Sequence, residues 1–234
     1  KNNTIGSSNK ARVGLPSDAA TGEWIINEIL FNPRSNAYDY IELYNNSNKI
    51  FDASKLYIAN RNSSGVISSI KALSPLPYYI FPGDYIVETE DADNLALQYL
   101  VKNPENVLLI SSPPSFPDDE GTVVALNFQG NVVDEVKYKD DWHFKLIDNA
   151  EGVSLERIDP DGTSQDETNW HSAASTAGYG TPTYKNSQYK LVQSINAAIE
   201  ISPKVFSPDN DGRDDIATVQ YAVTEPGYIA NVTI

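Results

Sequence analysis

Trp24-Ile25-Ile26-Asn27-Glu28-Ile29-Leu30-Phe31-Asn32-Pro33, followed closely by Asp39-Tyr40-Ile41-Glu42-Leu43-Tyr44-Asn45, sets the reading of this chain. Both are apolar runs of strand length, and turn-forming Asn or Pro closes each of them. Glu28 and Glu42 interrupt these runs. A carboxylate inside an apolar strand needs a hydrogen-bonding or cationic partner. Arg157, in Ser154-Leu155-Glu156-Arg157-Ile158, is the most economical one, and a structural role for both glutamates is expected over a functional one.

The same signature recurs along the chain. Leu56–Ala59, Tyr85–Glu88, Val107–Ile110, Thr122–Leu126, Val132–Tyr138 and Val153–Ile158 are short runs rich in Val, Ile and Tyr, punctuated by Pro, Gly, Asn and Asp. That spacing predicts an all-β sandwich or barrel. One segment reads otherwise: Asp91–Val101 predicts a short helix capped by Asp91 or Asp93, with Leu97, Leu100 and Val101 on one face and Pro104 beyond its end.

The flanks differ from this body. Residues 1–22, rich in Asn, Ser, Gly and Ala, predict a linker from an upstream domain, with a short extended candidate at Ala11–Leu15. Residues 23–187 form the predicted sandwich, residues 188–198 a second linker, and residues 199–234 the opening of another β module, with strands at Ile199–Ile201, Ile216–Val223 and Ile229–Ile234. About 36 residues are too few for a sandwich of about 100. The chain therefore reads as an excised piece, whose last strands are expected to pack on the body, to pair with a second copy or to lack order.

Composition narrows the function. Lys and Arg total 17 against 32 Asp and Glu, a net charge of −15 that repels phosphate backbones and anionic lipid, so no nucleic-acid partner is expected. Cysteine is absent, which removes disulfides, thiolate metal sites and cysteine nucleophiles. No apolar run approaches the roughly 20 residues of a membrane helix, so no membrane insertion is expected.

Two histidines, His143 and His171, each follow a tryptophan, and half-buried packing outweighs catalysis or metal binding for both. The acidic pairs Asp118-Asp119-Glu120, Asp134-Glu135 and Asp140-Asp141 read as solvated turn or strand-edge charges. Tyr38, Tyr40, Tyr44, Tyr78 and Tyr79 fall near loop ends and raise carbohydrate recognition as an alternative, which coplanar exposed rings on one face would favour. The loop Asp209-Asn210-Asp211-Gly212-Arg213-Asp214-Asp215 gathers hard oxygen donors around a glycine, making Asp209, Asp211, Asp214 and Asp215 candidate calcium ligands; the competing reading is a turn whose carboxylates cap backbone amides.

The opening strings, with Phe81-Pro82-Gly83-Asp84-Tyr85, Gly152-Val153-Ser154-Leu155-Glu156-Arg157, Asn169-Trp170-His171-Ser172-Ala173 and Gly180-Thr181-Pro182, resemble the lamin-tail domain of bacterial envelope proteins over residues 23–187. The resemblance implies an immunoglobulin-like β-sandwich. Val205-Phe206-Ser207-Pro208-Asp209-Asn210-Asp211-Gly212 resembles the start of FlgD-like or gliding-motility-type C-terminal immunoglobulin modules. Together they imply a secreted or cell-surface protein of Bacteroidetes-type bacteria, located outside the cell. The resulting expectation is a non-catalytic structural or adhesive module that binds a protein or surface glycan and self-associates through its C-terminal strands. The alternative is an accessory carbohydrate-binding or hydrolase-associated domain.

Overall fold

The computed structural model describes residues 12–190 and 199–222. In chain order, the body contains β1 (Trp24–Leu30), β2 (Tyr40–Asn45), β3 (Phe51–Asp52), β4 (Leu56–Arg61), β5 (Ile67–Ala72), β6 (Tyr79–Ile80) and β7 (Tyr85–Thr89). Then follow α1 (Ala92–Gln98), β8 (Val107–Leu109), β9 (Glu120–Asn127), β10 (Val132–Lys139), β11 (Leu155–Arg157) and β12 (Trp170–Ser172). The expected all-β sandwich with a short helix is what forms.

One sheet runs β12-β11-β1-β2-β7-β8 and faces a second, β10-β9-β4-β5. Between them lies the main core. The first sheet contributes Trp24, Ile26, Ile29, Ile41, Leu43, Ile86 and Leu155; the second contributes Leu56, Ile58, Val123, Ala125, Val136 and Tyr138. The outer face of the six-stranded sheet is covered as well. Leu30, Tyr40 and Val87 pack there beneath Leu95 and Tyr99 of the α1 region. Every residue of β1 is consequently buried, which explains why its sequence reads as a nearly continuous apolar run and not as an alternation.

A bulge in β1 decides what faces where. Its register against β2 shifts between Ile26 and Glu28. Side chains on a strand alternate, so the extra residue flips the parity. Trp24 and Ile26 point into the sandwich, and so does Ile29, while Asn27 and Glu28 both make their contacts on the outer face. The bulge also frees backbone groups at Ile26. Its N–H donates to Asp134 Oδ2 at 2.8 Å and its carbonyl accepts from Arg157 Nε at 2.7 Å.

The helix is shorter than expected, and of the three residues expected on its buried face only Val101, beyond its end, packs against the body. Asp91 is the N-cap and accepts from the Asn94 N–H at 2.9 Å. Leu95 and Tyr99 turn inward, whereas Leu97 is 84% and Leu100 60% exposed. Strands β5 and β12 and the β3–β6 pair were not legible as apolar runs. The Ile67–Ala72 edge strand is half exposed and the others have two or three residues.

The segment before β1 lies along the body. Pro16 bridges Ile50, the Ser17 N–H donates to the Ile50 carbonyl, and Ala19 sits in the main core. Beyond residue 198, β13 (Ile199–Ser202) pairs antiparallel with β14 (Thr218–Tyr221) as a separate two-stranded sheet. Ile199, Ile201, Val219 and Tyr221 on it remain exposed. The Ala11 end of the first extended candidate and the strand expected at Ile229–Ile234 lie outside the described residues.

Candidate functional site

Three glutamates form a row across adjacent strands of the six-stranded sheet. Glu28 on β1 registers with Glu42 on β2 on one side and with Glu156 on β11 on the other. All three are fully buried. Such a row needs compensation, since burying an unpaired carboxylate is costly. Here it comes from neutral donors, some on the sheet itself and the rest on residues 181–188, which pass over it as a strap.

Glu28 Oε1 accepts from the Thr181 N–H at 2.9 Å and from the hydroxyls of Tyr40 and Ser154. Glu42 accepts from the Thr183 N–H at 2.6 Å and from Asn27 Nδ2 at 2.8 Å. Glu156 Oε2 accepts from the Ser187 hydroxyl at 2.8 Å and the Gln188 N–H at 2.9 Å. Asn186 completes the strap by donating to the carbonyls of Asn27 and Arg157. Gly180, just before the strap, packs tightly on the sheet. A Cβ there would stand 2.6 Å from Tyr40 Oη and 2.8 Å from the Tyr99 ring.

Geometry requires a proton in the row. Thr181 Oγ1 lies 2.9 Å from Glu28 Oε2 and 2.7 Å from Glu156 Oε1. A hydroxyl has one proton, so it donates to only one of them, and the other contact is satisfied when a protonated carboxyl donates to Thr181. Electrostatics agrees. Burial, and then the charge of Glu28, pushes Glu156 up to about 7; burial likewise raises Glu28, and it raises Glu42 well above the carboxylate range.

Arg157 is not the partner of Glu28 or Glu42. In β11 it is Glu156 that registers with Glu28, so alternation sends Arg157 to the opposite face. There its guanidinium pairs with Asp134 at 2.9 Å, donates to Ser164 Oγ at 2.7 Å and lies 5.2 Å from the Trp170 ring centroid. Asp134 thus lies on the edge strand β10, as a strand-edge charge should, but it is largely withdrawn from solvent and serves as a structural anion. Glu135 beside it pairs with Arg61 at 2.6 Å.

The histidines flank Ser172. His143 Nδ1 lies 2.9 Å from Ser172 Oγ, which also accepts the Phe144 N–H, while His171 Nδ1 lies 2.9 Å from the Ser172 carbonyl oxygen. Burial, with smaller contributions from His171 and Lys145, lowers His143 to about 4 and keeps it neutral. Ser172 is fully buried and His143 nearly so. Contact with a nucleophile is present, but the pair is closed to solvent, and Phe31 covers the imidazole at 5.5 Å.

The acidic loop after β13 docks on the body beside the strap. Asn210 donates from Nδ2 to the Ala173 carbonyl at 3.1 Å, and its own carbonyl accepts from the N–H and hydroxyl of Ser175, each at 2.8 Å. Asp209, Asp211 and Asp215 each bring one carboxylate oxygen within 4.8 Å of the others. Asp214 stays out of this group; it is exposed, with φ at 53°, and its backbone carbonyl accepts the Ser207 N–H. Burial disfavours the Asp215 carboxylate, but donors at Gln188 and Gly212 outweigh that and hold its pKa below the usual value.

No family model and no curated protein matches this chain.

The tyrosines divide. Tyr40 is buried on Glu28, the Tyr78 hydroxyl lies 2.8 Å from the Glu105 carbonyl oxygen and 2.9 Å from Asn106 Oδ1 with one proton to give to either, and Tyr44 stacks on Tyr85 with centroids 4.5 Å apart. Tyr38 and Tyr79 remain partly exposed. Sequence reasoning missed Glu156 as the third member of the row and Glu88 entirely. Glu88 is buried toward the sandwich interior beside Ile41 and Ile58, with neither carboxylate oxygen hydrogen-bonded, and burial raises it well above the usual range. The available signal was the strand itself: Ile86-Val87-Glu88 places an acid between apolar neighbours, as at Glu28 and Glu42.

Proposed function

We propose that this chain is a non-catalytic structural or adhesive module of a secreted or cell-surface multidomain bacterial protein, engaging a protein or surface glycan. One observation carries the reading. The groups best equipped for acid–base or nucleophilic chemistry, the Glu28–Glu42–Glu156 row and the His143–Ser172 pair, are sealed in the body and engaged by internal donors and acceptors. A general acid, general base or nucleophile has to reach the reacting atoms, and these groups have no open approach. The lamin-tail resemblance supports the location outside the cell.

Residues 63–72 offer a surface for a partner. β5 is an edge strand of the four-stranded sheet, with Val66 at 58% and Ile70 at 55% exposure nearby and within it. Unpaired edge groups with exposed apolar side chains suit the addition of a partner strand. The Tyr44–Tyr85 stack turns ring faces toward each other, which argues against a flat aromatic platform for sugar. The test is a screen of the purified chain on esters, phosphates, peptides and glycans, followed by binding to immobilised glycans. No turnover is expected. Turnover abolished by His143→Ala or His171→Ala would overturn the reading, and retention by glycans would identify the partner as a surface glycan and not a protein.

A further inference from the structure

We propose that the loop 207–216 is a Ca²⁺ site formed by Asp209, Asp211 and Asp215, which fastens the β13–β14 unit to the body. The capping-turn reading accounts for only half of the carboxylate oxygens. Asp209 Oδ1 accepts the Asp211 N–H at 3.2 Å, and Asp211 Oδ1 accepts the Arg213 N–H at 2.7 Å. Asp215 Oδ2 accepts the Gly212 N–H at 2.7 Å and Gln188 Nε2 at 3.0 Å. Each carboxylate is thereby oriented through one oxygen. The other oxygen of Asp209 has only a 3.4 Å contact with Ser207 Oγ.

The decisive observation concerns Asp215. It is 6% exposed, and its Oδ1 is buried with no hydrogen-bond partner. No Lys, Arg or His among the described residues forms an ion pair with it or with Asp209 or Asp211. A buried carboxylate oxygen left without a hydrogen bond is costly even where its twin is well bonded, and a cation shared with two neighbouring carboxylates would remove that cost. A second buried oxygen in the same loop, Asn210 Oδ1, also has no partner.

The spacing fits the ion. Two oxygens bound to one Ca²⁺ at about 2.4 Å each lie at most about 4.8 Å apart, and that is the limit within which the three carboxylate oxygens fall. The all-oxygen donor set excludes thiolate- and imidazole-preferring metals by softness. An irregular loop, turning at Gly212 with φ at +86°, suits the flexible coordination of Ca²⁺ better than the near-ideal octahedron of Mg²⁺. The exposed Asp209 side leaves room for water to complete the shell.

The ion would act as a fastener because the loop already touches the body on both sides. Asn210 and Asp211 bond to residues 173–176, and Asp215 bonds to Gln188 in the strap. This inference goes beyond the module reading and does not depend on it.

The experiment uses the whole chain after treatment with a chelator. CaCl₂ is titrated by calorimetry, and trypsin cleavage after the exposed Arg213 is followed with and without the ion. A single site with Kd on the order of 10⁻⁴–10⁻³ M, in the range of extracellular modules, is expected, together with slower cleavage. Asp209→Asn and Asp211→Asn keep the amide-capping oxygen at solvent-facing positions, so both should melt like the parent in chelator while losing the heat and the protection. Absence of heat up to about 10 mM Ca²⁺, heat that persists in both variants, or equal protection by Mg²⁺ would overturn the assignment.

Discussion

Replacing Glu156 by Gln should stabilise the protein at neutral and alkaline pH, although it removes a charge from a hydrogen-bonded site. The buried Glu156 carboxyl has its pKa pushed from 4.5 to about 7. A raised folded-state value means that the folded chain holds a proton which the unfolded chain releases. The stabilisation is therefore complete below about pH 4.5 and is lost as pH rises through 7. At about 1.4 kcal/mol per pH unit, the loss is roughly 3 kcal/mol. Glutamine imitates the protonated acid: its Oε1 can take the Ser187 and Gln188 donors, and its amide can donate to Thr181 Oγ1, which then donates to Glu28. In urea melts from pH 5 to 8, the variant should gain on the parent as pH rises, by up to about 3 kcal/mol at pH 8. Groups such as His143, whose lowered value costs stability as pH falls from 6.5 toward about 4, are common to both proteins and cancel in the difference. Parallel stability curves across this range would refute the reasoning.

Arg157→Met should cost roughly 3 kcal/mol, because it leaves the largely covered Asp134 carboxylate without its cation and removes the donor to the Ile26 carbonyl at the bulge; chemical denaturation measures it. On α1, Leu95→Ala should cost about 2–5 kcal/mol and Leu97→Ala less than about 0.5 kcal/mol, the reverse order contradicting the observed buried face. Deleting residues 199–234 should leave the body cooperatively folded, since the cores contain none of the described residues 199–222, and should reduce any self-association through the exposed β13–β14 side chains; light scattering after size exclusion reads both.

The sandwich was legible because its central strands announce themselves. Trp24–Leu30, Tyr40–Asn45 and Glu120–Asn127 are long enough for composition and punctuation to mark them, the first at its expected bounds and the other two running one to three residues beyond the expected Tyr40–Tyr44 and Thr122–Leu126. β5 escaped because an edge strand with one solvated side keeps no apolar periodicity, and β12 because three residues carry too little pattern. The helix face was misread for a different reason. Leu97 and Leu100 are apolar but point to solvent, while Tyr99 buries its ring and keeps its hydroxyl on the Gly152 carbonyl.

The roles of Glu28 and Glu42 as buried acceptors followed from their setting within apolar strands. Their partners did not. Pairing with Arg157 assumed a face that the bulge at Ile26–Glu28 and the β11 register rule out, and the true donors lie some 140 to 150 residues away on the strap. Long-range register of that kind is set by tertiary packing and leaves no local mark. The acidic loop was visible as a run of donors, yet only the fold separates Asp214 from the three carboxylates that converge.

The central claim is that the carboxylate row is a sealed lock holding residues 181–188 and not an accessible acid–base site. Its most direct test is a pH titration of the glutamate side-chain carboxyls by carbon-13 NMR. Glu156 is predicted to titrate near 7, with Glu28 and Glu42 also above the usual glutamate value. If all three instead titrate near 4.5, the row is open to water and the lock does not exist.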